Sequence, residues 1–120
     1  ATDGRSHPSV EVNLSGELDD LSPAVGAAIY RLAQESITNA RRHARHATRV
    51  TVAVTGDADG VRLTVDDDGS SGAASRAPIG YGLIGMRERA TLLGGTFNAG
   101  PNAGHGWRVE ANLPRTGSPR

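Results

Sequence analysis

Apolar residues in this chain recur at every second position, then at every third or fourth, then at every second again. Val10, Val12 and Leu14 alternate with Glu11 and Asn13, the period of a half-buried strand. Ser22 and Pro23 then supply an N-cap and a first helical position. From there to about Arg45, Val25, Ile29, Leu32, Ala33, Ile37, Ala40 and Ala44 keep the spacing of an amphipathic helix. Alternation returns in Val50, Val52 and Val54, and again in Val61, Leu63 and Val65. The intervening "TGDADG" predicts an antiparallel hairpin.

The pattern then breaks. "DDDGSSGAASRAPIGYG" holds three acids and a run of small residues with little to bury, too long for a tight turn, and reads as a functional loop. Helical spacing resumes through Leu83, Met86, Ala90 and Leu93, and Gly94-Gly95 stops it. "TFNAG" and "GWRVEANLP" predict two closing strands, the second alternating Trp107, Val109, Ala111 and Leu113. The order β–α–β–β–loop–α–β–β predicts an α/β two-layer sandwich, a mixed, mainly antiparallel sheet covered on one face by helices. Residues 10–114 form the predicted domain, with tails at 1–9 and 115–120.

Composition narrows the possible functions. A length of 120 residues suits one domain with a real core. Thirteen basic and thirteen acidic residues cancel, which argues against nucleic acid or acidic lipid as a partner. The absence of cysteine excludes disulfides and thiolate zinc sites and fits a reducing compartment. No apolar run reaches membrane-spanning length, and "ATDGRSHPS" lacks a signal-peptide core, so the fragment is expected to be cytoplasmic without direct membrane contact. Without an initiator Met, the chain is expected to be part of a larger protein. It contains no lysine, so any cation on a phosphate must be Arg or His.

Three clusters could carry chemistry. Glu35, Asn39 and His43 lie four residues apart in the first helix. With Glu35 at zero, Asn39 falls at about 40° and His43 at about 80°, while Ile29, Ala33, Ala40 and Ile37 spread from about 120° to about 200°. The polar line therefore flanks the apolar stripe, where a carboxylate and an amide oxygen suit Mg²⁺ shared with phosphates and waters. A tolerated polar edge fits the same residues. The second cluster, Asp66-Asp67-Asp68-Gly69, reads as a polar turn, an acidic metal site or an acceptor for the amine of adenine, which also rejects guanine. The third, Gly80, Gly82 and Gly85, enters a helix whose first N–H groups attract phosphate. A long loop precedes it rather than a strand, which disfavours a dinucleotide fingerprint, and no Gly-Lys-Ser/Thr is present for a P-loop.

Taken together, "QESITNARRHA", "VDDDGSSG", "GYGLIGMRERA" and "GGTFNAGPNAGHGWRVEANLP" closely resemble the catalytic ATP-binding domain of bacterial two-component sensor histidine kinases. That domain belongs to the GHKL superfamily, shared with gyrase, the heat-shock chaperone and the mismatch-repair ATPase. The match is best to the subfamily that signals to response regulators of the nitrate-regulator type, and it runs from about Val10 to Pro114.

The resemblance implies a Bergerat-type ATP-binding fold with ATP and Mg²⁺ as cofactors. Asn39 matches the Mg²⁺ ligand, and Glu35 the acid that positions or activates the transfer machinery. Arg42 and His43 match cations near the phosphates, and Asp67, followed by Gly69, the adenine-binding turn. Gly80, Gly82, Leu83 and Gly85 match the glycine box, and the loop from Ser70 to Ile79 matches the ATP lid. Ser71 stands where the family has glycine, with Gly72 one position later. Trp107 stands where threonine is frequent, and Tyr81 is often His in relatives.

A histidine kinase also needs a phosphoacceptor histidine in an "H-D/E" setting, which His7, His43, His46 and His105 all lack. The acceptor would lie on a dimerisation domain outside this chain, with a response regulator downstream. An anti-sigma-factor serine kinase of the same superfamily and a nucleotide-binding interaction module without transfer activity are the alternatives.

Overall fold

A computed structural model of the chain describes residues 8–43, 46–69, 82–102 and 105–116, with the side chain of His43 excluded. Five strands and two helices follow one another as β1 (Ser9–Gly16), α1 (Pro23–His43), β2 (Arg49–Gly56), β3 (Gly60–Asp67), α2 (Leu83–Leu92), β4 (Thr96–Pro101) and β5 (Trp107–Pro114). The strands form one sheet in the order β1-β2-β3-β5-β4. β1 runs parallel to β2, and every other neighbouring pair is antiparallel. A parallel pair needs a long crossover, which α1 supplies. The result is the α/β sandwich that the order of periodicities predicts.

Local chemistry sets the element ends. Ser22 Oγ accepts the Val25 N–H at 3.3 Å, capping α1 one residue before Pro23. Asp57 Oδ1 accepts the N–H groups of Asp59 and Gly60 at 2.8 and 3.0 Å and closes the β2–β3 hairpin. At the end of α2 the Gly95 N–H reaches back to the Ala90 carbonyl and the Gly94 N–H to that of Thr91, both at 2.9 Å, the paired bonds of a Schellman cap. Arg115, just past β5, donates to the carbonyls of Glu17 and Asp57, both at 2.8 Å, tying three loops together.

The core lies between one face of the sheet and the two helices. Val50, Val52, Val54, Val61, Leu63, Val65, Trp107, Val109, Ala111 and Leu113, the alternating residues of β2, β3 and β5, are all buried. Val25, Ala28, Ile29, Leu32 and Ala40 of α1 and Leu83, Met86 and Ala90 of α2 cover them. The opposite sheet face carries polar pairs such as Arg62–Glu110 at 2.9 Å.

Two details depart from the periodicity. β1 is not half-buried: Val12 is 57% and Leu14 65% exposed, and only Val10 packs against the core. The reason is position, since β1 is an edge strand and α1 packs on β2, β3 and β5. In α1, Ala33 and Ile37 are only half-buried, and Ser36 takes a fully buried place. No helix among the described residues is long and apolar enough to cross a membrane.

Candidate functional site

α1 and α2 pack on one another along a seam. Ser36, about 100° round the helix from Glu35 and within the buried stripe of Leu32, Val25 and Ile29, donates its hydroxyl proton to the Met86 sulfur of α2 at 3.7 Å. Glu35 and Asn39 lie about 100° and about 60° from Ser36 round α1. Both residues are half-buried, as expected at the border of a buried stripe. Glu35, Asn39 and Arg42 line one cleft of about 790 Å³ together with Gly82 at the entrance to α2. Within the described residues, this cleft therefore gathers a carboxylate, the amides of Gln34 and Asn39, the guanidiniums of Arg31, Arg41 and Arg42, and a helix start. The side chain of His43, and Gly80 with the whole stretch 70–81 including Ser71, Gly72 and Tyr81, lie outside the described residues.

The start of α2 has the form of an anion site. Gly82, at φ +74°, adopts a left-handed conformation that only glycine takes without strain, and no side chain caps the helix. Its carbonyl accepts the Met86 N–H at 3.0 Å. The backbone N–H groups of the first turn precede any intrahelical partner and point out of the helix end. A Cβ built on Gly85 would meet no described atom within 4 Å, so no described residue fills that space. Leu83 differs from its neighbours. Its side chain is buried in the core and borders a second, apolar groove with Phe97 and Ala99, so only its backbone could face a phosphate.

The acidic run separates into three carboxylates with three settings. Asp66 faces the open side of the sheet, where Arg108, directly opposite on β5, grips it through Nε at 2.7 Å and Nη2 at 3.1 Å. Asn102 adds a third donor at 3.2 Å. The hydrogen bond and charge of Asp66 hold the Arg108 guanidinium above its ordinary pKa. Asp68 is exposed and accepts from Thr48, just before β2, and from Arg49, its first residue. Asp67 alone turns inward. It is 5% exposed, the one buried carboxylate among the described residues, and its Oδ1 accepts the Gly69 N–H at 2.9 Å. Trp107, its cross-strand partner on β5, is buried on the same sheet face. Gly106 stands so close that a Cβ there would lie 2.4 Å from the Asp67 carbonyl oxygen.

The three carboxylates of the acidic run thus have three different settings. No group of three or more His, Asp or Glu among the described residues is placed to hold a metal ion. Asp67 and Gly69 form a built, buried turn, which suits recognition of a polar group. Neither appears among the described residues lining the cleft at Glu35 and Asn39. Sequence reasoning missed Ser36, the Arg108–Asn102 grip on Asp66 and the Thr48 grip on Asp68. Only the first had a local signal, as a small polar residue within the apolar stripe.

Comparison with known proteins places the chain in a family. Residues 24–117 match the family model described as histidine kinase-, DNA gyrase B-, and HSP90-like ATPase. The chain is 36% identical over 95 residues to the signal transduction histidine-protein kinase/phosphatase UhpB of Salmonella typhimurium, covering 79% of this chain and 18% of that protein. It is 36% identical over 92 residues to the sensor histidine kinase YxjM of Bacillus subtilis, covering 77% and 22%. With the histidine-protein kinase/phosphatase DegS of the same organism it shares 34% over 105 residues, covering 82% and 27%. The chain thus spans about a fifth to a quarter of these relatives. Among solved structures, the blue-light activated histidine kinase of Erythrobacter litoralis EL346 superposes with a TM-score of 0.71 at 23% identity, over 93% of this chain and 37% of that one, which supports the fold. The chain belongs to the family of histidine kinase-, DNA gyrase B- and HSP90-like ATPases.

Proposed function

We propose that this chain is the ATP-binding catalytic domain of a two-component sensor histidine kinase. It would bind Mg-ATP and donate the γ-phosphoryl group to a histidine on a dimerisation domain outside residues 1–120. From there the phosphoryl group would pass to a response regulator, of the nitrate-regulator type by subfamily resemblance. The observation that carries the reading is Asp67. Carboxylates are almost never buried without a specific reason, and this one ends a central strand beside a glycine turn. Such a group accepts a hydrogen bond from the adenine amine and meets the guanine carbonyl as a second acceptor, so it selects between the bases.

The phosphates would extend to the cleft of α1 and the first turn of α2. There the N–H groups after Gly82 and the Arg42 guanidinium would hold them, and Gly85 would leave room for their approach. Asn39 and Glu35 offer an amide and a carboxylate oxygen on that cleft, which fits Mg²⁺, an ion held by few protein oxygens and completed by phosphates and water. When bound, Mg²⁺ neutralises charge on the transferring phosphoryl group, and transfer of this kind is largely positioning and charge stabilisation. Glu35 would orient the reacting groups at the cleft edge. The relatives named as sensor or histidine kinases favour this reading over a serine kinase of the same superfamily.

The test is a titration with ATP and GTP, each with and without Mg²⁺. The expected result is Mg²⁺-dependent binding with ATP preferred, the preference lost in Asp67→Asn and the Mg²⁺ dependence lost in Asn39→Ala. Equal binding of GTP by the unmodified chain would sink the adenine assignment.

A further inference from the structure

Asp68 makes more hydrogen bonds than an exposed carboxylate normally collects. Its Oδ1 accepts the Thr48 N–H at 2.8 Å and the Arg49 N–H at 3.1 Å, and its Oδ2 accepts the Thr48 hydroxyl. Its own N–H reaches the Arg49 carbonyl at 3.4 Å. All of these bonds lead to one place, the segment that leaves α1 and enters β2. The neighbouring Asp66 is held on the other side of the strand by Arg108 and Asn102. Asp67 and its peptide therefore sit between two lateral clamps, with Gly106 packed against the carbonyl.

The clamps differ in what they control. Asp66 lies inside β3, where the pairings Asp66–Thr51 and Asp66–Arg108 already fix the backbone. Asp68 lies one residue past the last strand residue, where one long backbone bond, from its N–H to the Arg49 carbonyl at 3.4 Å, is what continues the ladder. The direction in which β3 hands over to Gly69, and so the orientation of the Asp67 carboxylate bonded to Gly69, depends there on that one bond and on the side-chain contacts of Asp68. A few exposed hydrogen bonds contribute little to global stability. They can still select one local geometry.

We propose that Asp68 is a positioning residue: by gripping Thr48 and Arg49 it fixes the Asp67–Gly69 turn in the orientation that discriminates adenine from guanine. The inference rests on the reading of Asp67 as the base acceptor. It makes the segment after α1 part of base selection, although no residue of that segment need touch the base.

The chemistry of the grip supplies its own control. In Asp68→Asn, the amide oxygen can still accept both backbone N–H groups, and the amide nitrogen can donate to the Thr48 hydroxyl oxygen. Charge is removed while the geometry is kept. Asp68→Ala removes both.

The experiment measures ATP and GTP affinity for the unmodified chain, Asp68→Ala, Asp68→Asn and Thr48→Val, with thermal unfolding of each. The expected result is an ATP-over-GTP ratio about tenfold lower in Asp68→Ala, the scale of one misaligned charge-assisted hydrogen bond. Asp68→Asn should restore most of the ratio. Thr48→Val keeps the backbone bonds, should lower the ratio less, and decides the matter if Asp68→Ala fails to fold. A lowered unfolding temperature with an unchanged ratio in Asp68→Ala, or in Thr48→Val where Asp68→Ala does not fold, would overturn the proposal, leaving Asp68 a structural staple. Absence of any ATP preference in the unmodified chain would overturn the reading of Asp67 and this inference with it.

Discussion

Leu14 and Leu63 lie in one cross-strand row, each paired in register with Val54, yet Leu63 is fully buried and Leu14 is 65% exposed. The two share a residue type and a sheet face, and they differ only in what lies above them. Leu63→Ala should therefore cost about 2–5 kcal/mol through lost transfer energy and a cavity under α1. Leu14→Ala should stay within about 0.5 kcal/mol of the unmodified protein. Urea unfolding of the two variants checks the contrast, and equal costs would mean that β1 is covered in solution.

Gly82 and Gly85 separate stability from binding. Alanine at Gly82 must hold a left-handed backbone and should cost about 1–2 kcal/mol. Alanine at Gly85 meets no described atom and improves helix propensity, so it should add up to about 1 kcal/mol. If the first turn of α2 receives phosphate, both variants should bind ATP more weakly despite shifting the melting temperature in opposite directions. Thermal unfolding with nucleotide titration reads both. Unchanged ATP affinity in a stabilised Gly85→Ala protein would remove that turn from the phosphate site.

Local signals were readable and long-range ones were not. The alternation in β2, β3 and β5, the Ser22-Pro23 start and the Gly94-Gly95 stop are properties of neighbouring residues, and the fold follows them. The exposure of Val12 and Leu14 depends on sheet order, which no periodicity within β1 records. Glu35, Asn39 and Arg42 share one cleft because helical geometry is local, whereas Gly82 reaches it only through long-range packing. The role of Asp68 depends on Thr48, twenty residues earlier, brought alongside by β2–β3 pairing. The burial of Ser36 depends on a sulfur fifty residues later.

That Ser36–Met86 contact lies in the seam between α1 and α2. Sulfur is a weak acceptor, so Ser36→Ala leaves little unsatisfied and should cost less than about 1 kcal/mol. Ser36→Leu must find room between packed helices and should cost about 1–3 kcal/mol. It should also weaken ATP binding by shifting Gly82 away from Asn39. Denaturant unfolding and nucleotide titration measure the two effects, and unaltered binding in a destabilised Ser36→Leu protein would detach the seam from the site.

Asp68 also predicts a pH dependence. Burial acts to raise its pKa, but hydrogen bonds from the Thr48 side chain and from the backbone N–H groups of Arg49 and Thr48 outweigh it, and the net shift is below the ordinary carboxylate value. A carboxylate with a depressed folded-state pKa binds protons more readily when unfolded. Its stabilising contribution is present above the unfolded-state value and is lost as pH falls through the folded-state value. The group is exposed, so the contribution is small and should shrink further in high salt. Unfolding midpoints measured from about pH 7 down to about pH 3 should fall for the unmodified protein and fall less steeply for Asp68→Asn, which cannot titrate. Identical acid limbs for the two proteins would show that the Thr48–Asp68 grip does not persist in solution.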